Sequence, residues 1–357
     1  MSSTGERVLI KGNEAICRGA VDAGCQCFFG YPITPQNDIP EYMSKVMPSL
    51  GRVFVQAESE VAAANMLLGA AACGVRAMTS SSSPGISLKQ EAISYMGGTE
   101  LPAVIVNISR GGPGLGDIGP SQGDYYQAVK GGGHGDYRQL VLAPGTVQEA
   151  YDLIGKAFDL AFAYRNPVML LGDAIIGQMM EPVTLGSSQE TKRVGQDIGW
   201  NLTGKGQRDP RLLKSLHLTD GALAGHNIRL RDKYASMERD VLFENFLVDD
   251  AELIVVAFGS IGRIAKSTIR KLRASGIKVG LHRPITLFPF PTQELDRLAA
   301  VGKRFLTIEH NLGQMVDDVR LAVRKHADSE FYGHLPGNLP TPEDFEQPIL
   351  EAMGVNS

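Results

Sequence analysis

Two acidic residues stand where an apolar strand pattern meets an alanine-rich helical pattern. Glu58 and Glu60 follow the run VFVQ at 53–56 and adjoin the sequence VAAANMLLGAAA at 61–72. Carboxylates are favoured near the positive end of a helix dipole, so the two acids could simply cap the helix. A helix this apolar is expected to be buried on most faces, and an acid at its start would then be poorly solvated. Such a carboxyl group suits a hydrogen bond to a heterocyclic nitrogen.

Two further segments place polar groups directly after strand patterns. At 30–35 (GYPITP) two prolines fix the backbone and present the Thr34 hydroxyl at a rigid turn. The same residues also fit a helix start, with Thr34 as the N-cap and Pro35 at the first helical position. Residues 79–85 (TSSSSPG) form a hydroxyl-rich turn, which suits capping or the binding of an anion or a polar ring edge. Ligands collect at the carboxyl ends of strands in open parallel sheets, so these turns are candidate sites.

A single cation, Arg110, lies between the strand pattern AVIVNIS at 103–109 and a glycine-rich loop at 111–116. An arginine fork could hold a carboxylate there through two parallel hydrogen bonds, although an ordinary surface arginine is the alternative. The loop does not fit a dinucleotide-binding fingerprint, because acidic loop sequence and not a clear helix follows it. His134 is the only histidine in a flexible polar loop, and both a lid role and ordinary loop structure stay open for it.

The composition excludes several classes of protein. The chain has 357 residues, 43% hydrophobic content and a formal net charge of -4, without the basic surface that nucleic acids or anionic membranes require. It has no apolar run of about 18 residues and no secretory signal pattern, so we expect a cytoplasmic location. It also lacks a phosphate-binding loop of the G-x-x-x-x-G-K type and a G-x-S-x-G elbow. The cysteines (Cys17, Cys25, Cys27 and Cys73) form no CxxC pair, which argues against an iron–sulfur or zinc site; buried reduced thiols are expected for Cys25 and Cys27.

The order of apolar patterns predicts an α/β protein. Strand and helix patterns alternate over residues 1–185, which indicates a parallel sheet covered on both faces. The periodicity fades over 186–250, which we interpret as a connecting arm. A second alternation over 251–357 predicts a smaller α/β domain.

Taken together, the motifs resemble the α subunits of the 2-oxoacid:ferredoxin oxidoreductases. The resemblance spans almost the whole chain and implies a thiamine-diphosphate-binding-type parallel sheet domain followed by a smaller transketolase C-terminal-like domain. It also places the segment EHNLGQ at 309–314 at a subunit interface. The matching segments are GNEA (12–15), GYPITP (30–35), ESE (58–60), TSSSSPG (79–85), the strand ending at Arg110, and EHNLGQ (309–314).

The resemblance implies a role for individual residues. Glu60 matches the acid that contacts N1′ of the aminopyrimidine ring, with Glu58 as the alternative register. Thr34 and Arg110 match positions that hold the oxo-carboxylate end of the substrate, and no residue here is assigned to a metal. The remaining cofactor-binding candidates are Tyr31, Pro32 and Ile33, which would line the pyrimidine pocket, and Ser83 and Pro84, which would lie in a loop near it.

The chain lacks the G-D-G segment through which thiamine enzymes hold the diphosphate and Mg²⁺; its nearest sequence, at 172–174, reads GDA. The resemblance implies that a β subunit supplies the diphosphate and Mg²⁺ site, and that [4Fe–4S] clusters reside on it and on a small ferredoxin-like subunit. The implied reaction is oxidative decarboxylation of a 2-oxoacid to acyl-coenzyme A with reduction of ferredoxin. The segment GGGHGDYR at 131–138 is most similar to 2-oxoisovalerate enzymes, so a branched-chain acid is favoured over 2-oxoglutarate or pyruvate.

Two alternatives remain at this level. A homomeric thiamine enzyme of the transketolase or decarboxylase kind would need a complete diphosphate motif within the chain. A structural or regulatory subunit with a decayed site would not need to keep Glu60, Thr34 and Arg110 together.

Overall fold

The computed structural model describes residues 7–186 and 196–355. It contains two α/β units, each built on its own sheet. The strands are β1 (Arg7–Lys11), β2 (Cys27–Gly30), β3 (Val53–Gln56), β4 (Ala77–Ser81), β5 (Ala103–Ser109), β6 (Leu140–Leu142), β7 (Pro167–Asp173), β8 (Met180–Thr184), β9 (Phe243–Phe246), β10 (Leu253–Val256), β11 (Val279–Pro284), β12 (Thr286–Phe288), β13 (Arg304–Glu309) and β14 (Ser329–Gly333).

The helices follow the strands in regular alternation through most of the chain. They are α1 (Gly12–Asp22), α2 (Asp38–Ser49), α3 (Glu60–Ala72), α4 (Ser83–Gly98), α5 (Tyr125–Val129), α6 (Val147–Tyr164), α7 (Ala174–Gln178), α8 (Ala222–Ser236), α9 (Gly259–Ala274), α10 (Thr292–Ala300), α11 (Met315–Val323) and α12 (Glu346–Met353). This alternation confirms the predicted α/β fold class.

The first unit is a seven-stranded sheet in the order β12-β6-β7-β5-β4-β2-β3. Its strands are parallel except β12, which runs antiparallel to β6. Strand β5 is buried along its whole length, as expected for a central parallel strand covered on both faces. Apolar residues of α3 and α4 pack on one face, and those of α1, α2 and α6 pack on the other. Both faces are therefore closed, and the strand ends remain for ligands.

The second unit is a five-stranded sheet in the order β14-β13-β10-β11-β9, parallel except for β9. Apolar residues from β10, β13, α10 and α11 join the same buried core as α3 and α4 of the first unit. The two units therefore share a continuous apolar interior.

Two strands depart from the boundaries predicted from the sequence. The second sheet takes in β9, which comes from the segment expected to be a connecting arm. Conversely, β12 lies in the predicted C-terminal domain but pairs with β6 of the first sheet, with Thr286 opposite Leu142. Strands therefore pair with partners from other parts of the chain, and the two sheets do not coincide with the segments predicted from the sequence. Residues 1–6, 187–195 and 356–357 of the predicted domains lie outside the described residues.

Candidate active site

The four candidate segments emerge from four neighbouring parallel strands. Strands β5, β4, β2 and β3 are adjacent in the sheet. Gly30 at the end of β2 lies opposite Gln56 of β3 and Ser80 of β4, and Ser81 lies opposite Asn107 of β5. The segments that begin with Tyr31, Glu58, Ser82 and Arg110 therefore leave the sheet along one edge. This is the carboxyl-end edge at which parallel sheets bind ligands.

The two acids after β3 occupy different environments. Glu58 is exposed, whereas Glu60 is the first residue of α3 and only 8% exposed. The helix is capped by Ser59, whose hydroxyl accepts a hydrogen bond from the backbone N–H of Ala62 at 3.1 Å. A serine therefore performs the capping, and the Glu60 carboxylate is left available for another role.

The prediction that α3 is buried on most faces is wrong for the isolated chain. Val61 and Met66 are 43% and 36% exposed, and Asn65, Gly69 and Cys73 are exposed as well. Only the face that carries Glu60, Ala63 and the following core residues packs inward. Apolar side chains thus lie at the surface immediately beside the buried acid.

The carboxyl group of Glu60 lies over the first turn of α4. A Cβ atom added to Gly85 would lie 2.9 Å from Glu60 Oε1 and 2.1 Å from Ser81 Oγ, so only glycine leaves room for this approach. No hydrogen bond from a described residue reaches the Glu60 carboxylate oxygens. Ser81 and Ser82 directly precede α4, and their buried hydroxyls have no hydrogen-bond partner among the described residues. Together they leave unsatisfied polar atoms on the edge where a ligand would bind.

The turn at 30–35 is held against β4 and does not begin a helix. Gln36 donates to the carbonyl of Tyr31 at 3.2 Å and accepts from Ser80 Oγ at 2.5 Å. Helix α2 begins at Asp38 after Asn37, so the alternative that made Thr34 its N-cap is wrong. The Thr34 hydroxyl instead accepts from Asn37 Nδ2 at 3.3 Å. Within this turn Pro32 is exposed, whereas Tyr31, Ile33 and Thr34 are partly exposed.

Arg110 is 8% exposed, which rules out the alternative of an ordinary surface arginine. Its Nη1 donates to the carbonyl of Thr34 at 2.9 Å, and its Nη2 donates to the carbonyl of Leu115 at 3.2 Å. The buried Nε has no partner among the described residues. The structure therefore brings Arg110 and Thr34 together and leaves the buried Nε of the guanidinium unsatisfied.

A partly buried acid that the sequence did not single out, Asp124, is linked to Arg110 through Ser83. Asp124 accepts from Ser83 Oγ at 2.6 Å and from Asn107 Nδ2 at 2.8 Å, while the backbone N–H of Arg110 donates to Ser83 Oγ at 3.0 Å. Burial raises the pKa of Asp124, and hydrogen bonds from Ser83 and Asn107 oppose that rise. The polar Asn107 inside the apolar run AVIVNIS was the sequence signal for this network.

A cavity of about 650 Å³ opens between the two units beside Arg110. From the first unit it is lined by Arg110, Asp124, Ser83 and Pro84, and residues 111–114 continue that wall. The prediction that Ser83 and Pro84 lie in a loop is wrong, because helix α4 already begins at Ser83. The second unit contributes Asn311, Leu312, Gln314, Leu335 and Pro336. Glu60, Thr34 and the residues 31–33 do not line this cavity. The predicted site thus has two parts. One is the Glu60 carboxyl group between the starts of α3 and α4, and the other is the cavity beside Arg110.

The sequence GDA at 172–174 has a structural role. The carboxylate of Asp173 is the N-cap of α7, accepts from the N–H of Ile176 at 3.0 Å and also accepts from Ser260 Oγ of the second unit. Burial raises the pKa of Asp173, against the hydrogen bond from Ser260. This aspartate is therefore committed to joining the two units. Among residues 7–186 and 196–355, no cluster of His, Cys, Asp and Glu could hold a metal ion.

The segment 309–314 packs on the first unit of its own chain. Asn311 Nδ2 and Gln314 Nε2 donate to the carbonyls of Gln122 and Gly123, both at distances below 3.0 Å. Glu309 is buried and accepts from the N–H groups of Met315 and Val316, so it caps α11. Leu312 is 83% exposed, and the subunit interface expected for this segment stays a prediction.

The remaining sequence candidates are peripheral to this site. His134 has an exposed side chain, and its carbonyl accepts from Ser94 Oγ at 2.7 Å. Cys25 and Cys27 are buried and free, as predicted, whereas Cys73 is exposed and free. Within the part of the chain that the structure describes, no helix is long and apolar enough to span a bilayer.

The chain belongs to the pyruvate flavodoxin/ferredoxin oxidoreductase family. The model of this family's thiamine-diphosphate-binding domain matches residues 18–202, and the model of pyruvate:ferredoxin oxidoreductase core domain II matches residues 251–345. The chain is thus an α-type subunit of a 2-oxoacid:ferredoxin oxidoreductase, as the sequence motifs indicated.

Sequence identity with individual relatives gives further information on the subunit type. The chain is 50% identical to the ketoisovalerate oxidoreductase subunit VorB of Methanothermobacter thermautotrophicus, over 98% of this chain and 99% of that protein. It is 35% identical to the 2-oxoglutarate synthase subunit KorA of the same organism, over 97% of this chain and 99% of that protein. Both relatives are named as subunits, so the chain is a component of a multi-subunit oxidoreductase.

Solved structures confirm the fold. The 2-oxoglutarate:ferredoxin oxidoreductase from Magnetococcus marinus, with 2-oxoglutarate, coenzyme A and succinyl-coenzyme A bound, superimposes with a TM-score of 0.87 at 24% identity. That match covers 98% of this chain, which spans 66% of the length of the other. A split-gene transketolase, described as an inactive β4 tetramer, matches with a TM-score of 0.60 at 13% identity, over 98% of this chain and 99% of that one. The predicted combination of a thiamine-type domain with a transketolase-like C-terminal domain agrees with both.

Proposed function

We propose that this chain supplies the pyrimidine-side half of a thiamine-diphosphate site in a 2-oxoacid:ferredoxin oxidoreductase that acts on branched-chain 2-oxoacids. The observation that carries the proposal is the Glu60 carboxyl group. It is buried at the start of α3, lies over Gly85 and accepts no hydrogen bond from the described residues. An acid in this position can exchange a proton with a ring nitrogen of a bound heterocycle.

The residues present fit the pyrimidine end of thiamine diphosphate. Glu60 offers a hydrogen-bonding carboxyl group at the carboxyl-end edge, and Gly85 leaves the space that a side chain would fill. The turn at 31–33 emerges from the neighbouring strand, and we assign Tyr31, Pro32 and Ile33 to the wall of the ring pocket. Ser83 and Pro84, in the first turn of α4, adjoin this pocket. When bound, thiamine diphosphate supplies the carbanion chemistry that cleaves the bond between the carboxylate and the oxo carbon.

The residues present do not fit the diphosphate end. Asp173, the only candidate from the sequence, is hydrogen-bonded within the protein, and the described residues hold no metal-binding cluster. We therefore assign the diphosphate and Mg²⁺ to a β subunit. Exposed apolar residues next to the site, including Val61, Leu115 and Leu312, favour a covering partner there. The [4Fe–4S] clusters are assigned to this β subunit and to a small ferredoxin-like subunit.

Arg110 and Thr34 are assigned to the carboxylate of the substrate. The guanidinium is already placed by its bonds to the carbonyls of Thr34 and Leu115, so little side-chain freedom is lost when an anion binds. The substrate carboxylate would engage the unsatisfied Nε and replace the carbonyl of Leu115, which belongs to an exposed glycine-containing loop. This exchange keeps the guanidinium paired throughout.

The overall reaction consumes a 2-oxoacid, coenzyme A and two oxidised ferredoxins. It yields acyl-coenzyme A, carbon dioxide, two reduced ferredoxins and one proton. The residues of this chain hold a proton at Glu60 and orient the substrate at Arg110, while the electrons leave through clusters on the partner subunits. A cytoplasmic location is part of this proposal.

The branched-chain preference has separate support. Identity is 50% with the ketoisovalerate subunit and 35% with the 2-oxoglutarate subunit of the same organism, over nearly equal lengths. Steady-state comparison of 2-oxoisovalerate, 2-oxoglutarate and pyruvate with the assembled complex should give the highest kcat/KM for 2-oxoisovalerate. A higher value for 2-oxoglutarate would assign the chain to the other substrate class.

The central test replaces Glu60. In the complex purified with its natural partners, Glu60→Gln should abolish reduction of a viologen dye that depends on 2-oxoacid and coenzyme A, because glutamine cannot exchange the proton. Glu58→Gln is the matched control and should retain activity, since Glu58 is exposed. Normal turnover by Glu60→Gln in an intact complex would reject the proposal, and full activity of the isolated chain would reject the division of the site between subunits.

A further inference from the structure

A buried lysine lies directly beneath the start of α3. Lys89 is 0% exposed, although its sequence neighbours Ser87 and Leu88 are exposed on the other side of α4. Its Nζ donates to the backbone carbonyl of Glu60 at 3.2 Å and to Thr79 Oγ1 at 3.1 Å. The ammonium therefore ties α4 and β4 to the residue that carries the candidate acid.

A cation in this position needs a specific reason to be retained. Burying an ammonium is strongly unfavourable unless hydrogen bonds and an opposite charge compensate it. Two oxygen atoms accept from Lys89, and Glu60 is the charged group that acts on it among the described residues; β4 contributes only the neutral Thr79 hydroxyl. A methionine or leucine would fill this volume without the electrostatic cost. The interaction with Glu60 is the feature that an apolar residue could not supply.

We propose that Lys89 is a positioning residue for Glu60, which holds the first turn of α3 from within the core and supplies the positive field in which the Glu60 carboxyl group exchanges its proton. The inference rests on the proposed function of Glu60. It goes beyond that function because it assigns a role to a residue that is fully enclosed by protein.

The field from Lys89 should depend on pH in a defined range. Burial lowers the pKa of Lys89 to about 8, against the opposing effect of Glu60. The ammonium is therefore charged below pH 8 and loses its proton above it. Turnover should decline on the alkaline side with an inflection near pH 8, because the charge beside Glu60 disappears there.

The test compares pH profiles of kcat for the assembled complex carrying Lys89→Met or Lys89→Arg. Lys89→Met has a similar volume and no charge, so kcat near pH 7 should fall on the order of tenfold, and the inflection near pH 8 should disappear. Lys89→Arg keeps its charge well above pH 8, so it should retain more activity than Lys89→Met and move the inflection to higher pH. Lys233→Met removes a partly buried lysine, which pairs with Glu100 away from this edge, and should leave the profile unchanged.

The outcomes separate this inference from the proposed function. If an assembled Lys89→Met complex keeps the wild-type profile, or if the wild-type complex shows no inflection near pH 8, the role of Lys89 is refuted while Glu60 is untouched. If Lys89→Met fails to assemble, Lys89→Arg decides: an inflection that stays near pH 8 overturns the inference. The proposed function of Glu60 would be refuted by a different result, namely normal turnover of the Glu60→Gln complex. No result with a Lys89 variant can be confused with that one.

Discussion

Replacing Gly85 by alanine should shift the Glu60 carboxyl group while leaving its chemical identity unchanged, so the variant tests the importance of its position alone. The added methyl would lie 2.1 Å from Ser81 Oγ and 2.9 Å from both Cγ and Oε1 of Glu60, whereas ordinary contacts begin at 3.4 Å. Ser81 can rotate away because its hydroxyl is the end of a short side chain. The Glu60 side chain must then shift by at least about 0.5 Å, the difference between 3.4 Å and 2.9 Å. The carboxyl group would then be displaced from the geometry in which we propose that it meets a ring nitrogen.

The expected loss is kinetic and not structural. Displacement of a catalytic group by about 1 Å can cost roughly 100-fold in rate, so a shift of this size should lower kcat between about tenfold and 100-fold. Overpacking costs about 1–3 kcal/mol, but alanine is favoured over glycine within a helix by about 1 kcal/mol, so the free energy of unfolding should change by less than about 2 kcal/mol.

The assay is dye reduction by the assembled complex, together with thermal unfolding of the same preparation. Gly155→Ala in α6 is the matched control, because its methyl would meet only Ala23 Cβ at 3.7 Å and should be tolerated or slightly stabilising. If Gly85→Ala turns over at the wild-type rate while remaining assembled, then the close packing of Glu60 on α4 is not required for catalysis.

Three further perturbations test other parts of the molecule. Arg110→Lys should raise KM for the 2-oxoacid roughly tenfold to 100-fold with a smaller change in kcat, because a lysine cannot form two parallel bonds to a carboxylate; an unchanged KM would remove the arginine from substrate binding. Asp173→Asn should lower the free energy of unfolding by about 1–3 kcal/mol, measured by chemical denaturation, and leave the Mg²⁺ requirement of the complex unchanged; a raised Mg²⁺ requirement would contradict the structural role. Burial lowers the pKa of His282 to about 4, below its unfolded value of about 6.5, so the unfolded chain binds more protons between these limits and stability should fall by up to about 3 kcal/mol as the pH decreases through them. His282→Gln should flatten this pH dependence of unfolding, and an unaltered slope would assign it to other groups.

Much of the candidate site could be predicted from the sequence, because each of its segments occupies the same place relative to a strand. Each candidate segment comes directly after a strand, and parallel strands bring such positions to one edge without any long-range information. Thus the neighbourhood of Thr34 and Arg110 was predictable, and the structure joins them by a hydrogen bond of 2.9 Å. The different environments of Glu58 and Glu60 could not be read from the sequence, because they depend on the helix start, which the structure places at Glu60. The assignment of the catalytic role to Glu60 stays a prediction.

The remaining features depended on contacts between distant residues. Asp124 reaches Ser83 across 41 positions, and its loop carries no periodic pattern that could have marked it. Lys89 was detectable in part, since it lies three residues after Ile86 and four before Ile93 on the buried side of α4. The exposure of α3 could not be predicted, because hydrophobic composition does not distinguish a core from a surface that another subunit covers.

The pairing of β12 with β6 has a practical consequence for anyone who expresses this chain in parts. A fragment ending near residue 250, at the boundary that the sequence suggests, would keep β6 but lose the strand that covers its outer side. The open backbone groups of β6 would then be a template for other chains, so such a fragment should self-associate. A circularly permuted or split version should therefore keep residues 286–288 with the first sheet, and the useful unit for dissection is defined by strand neighbours and not by position along the chain.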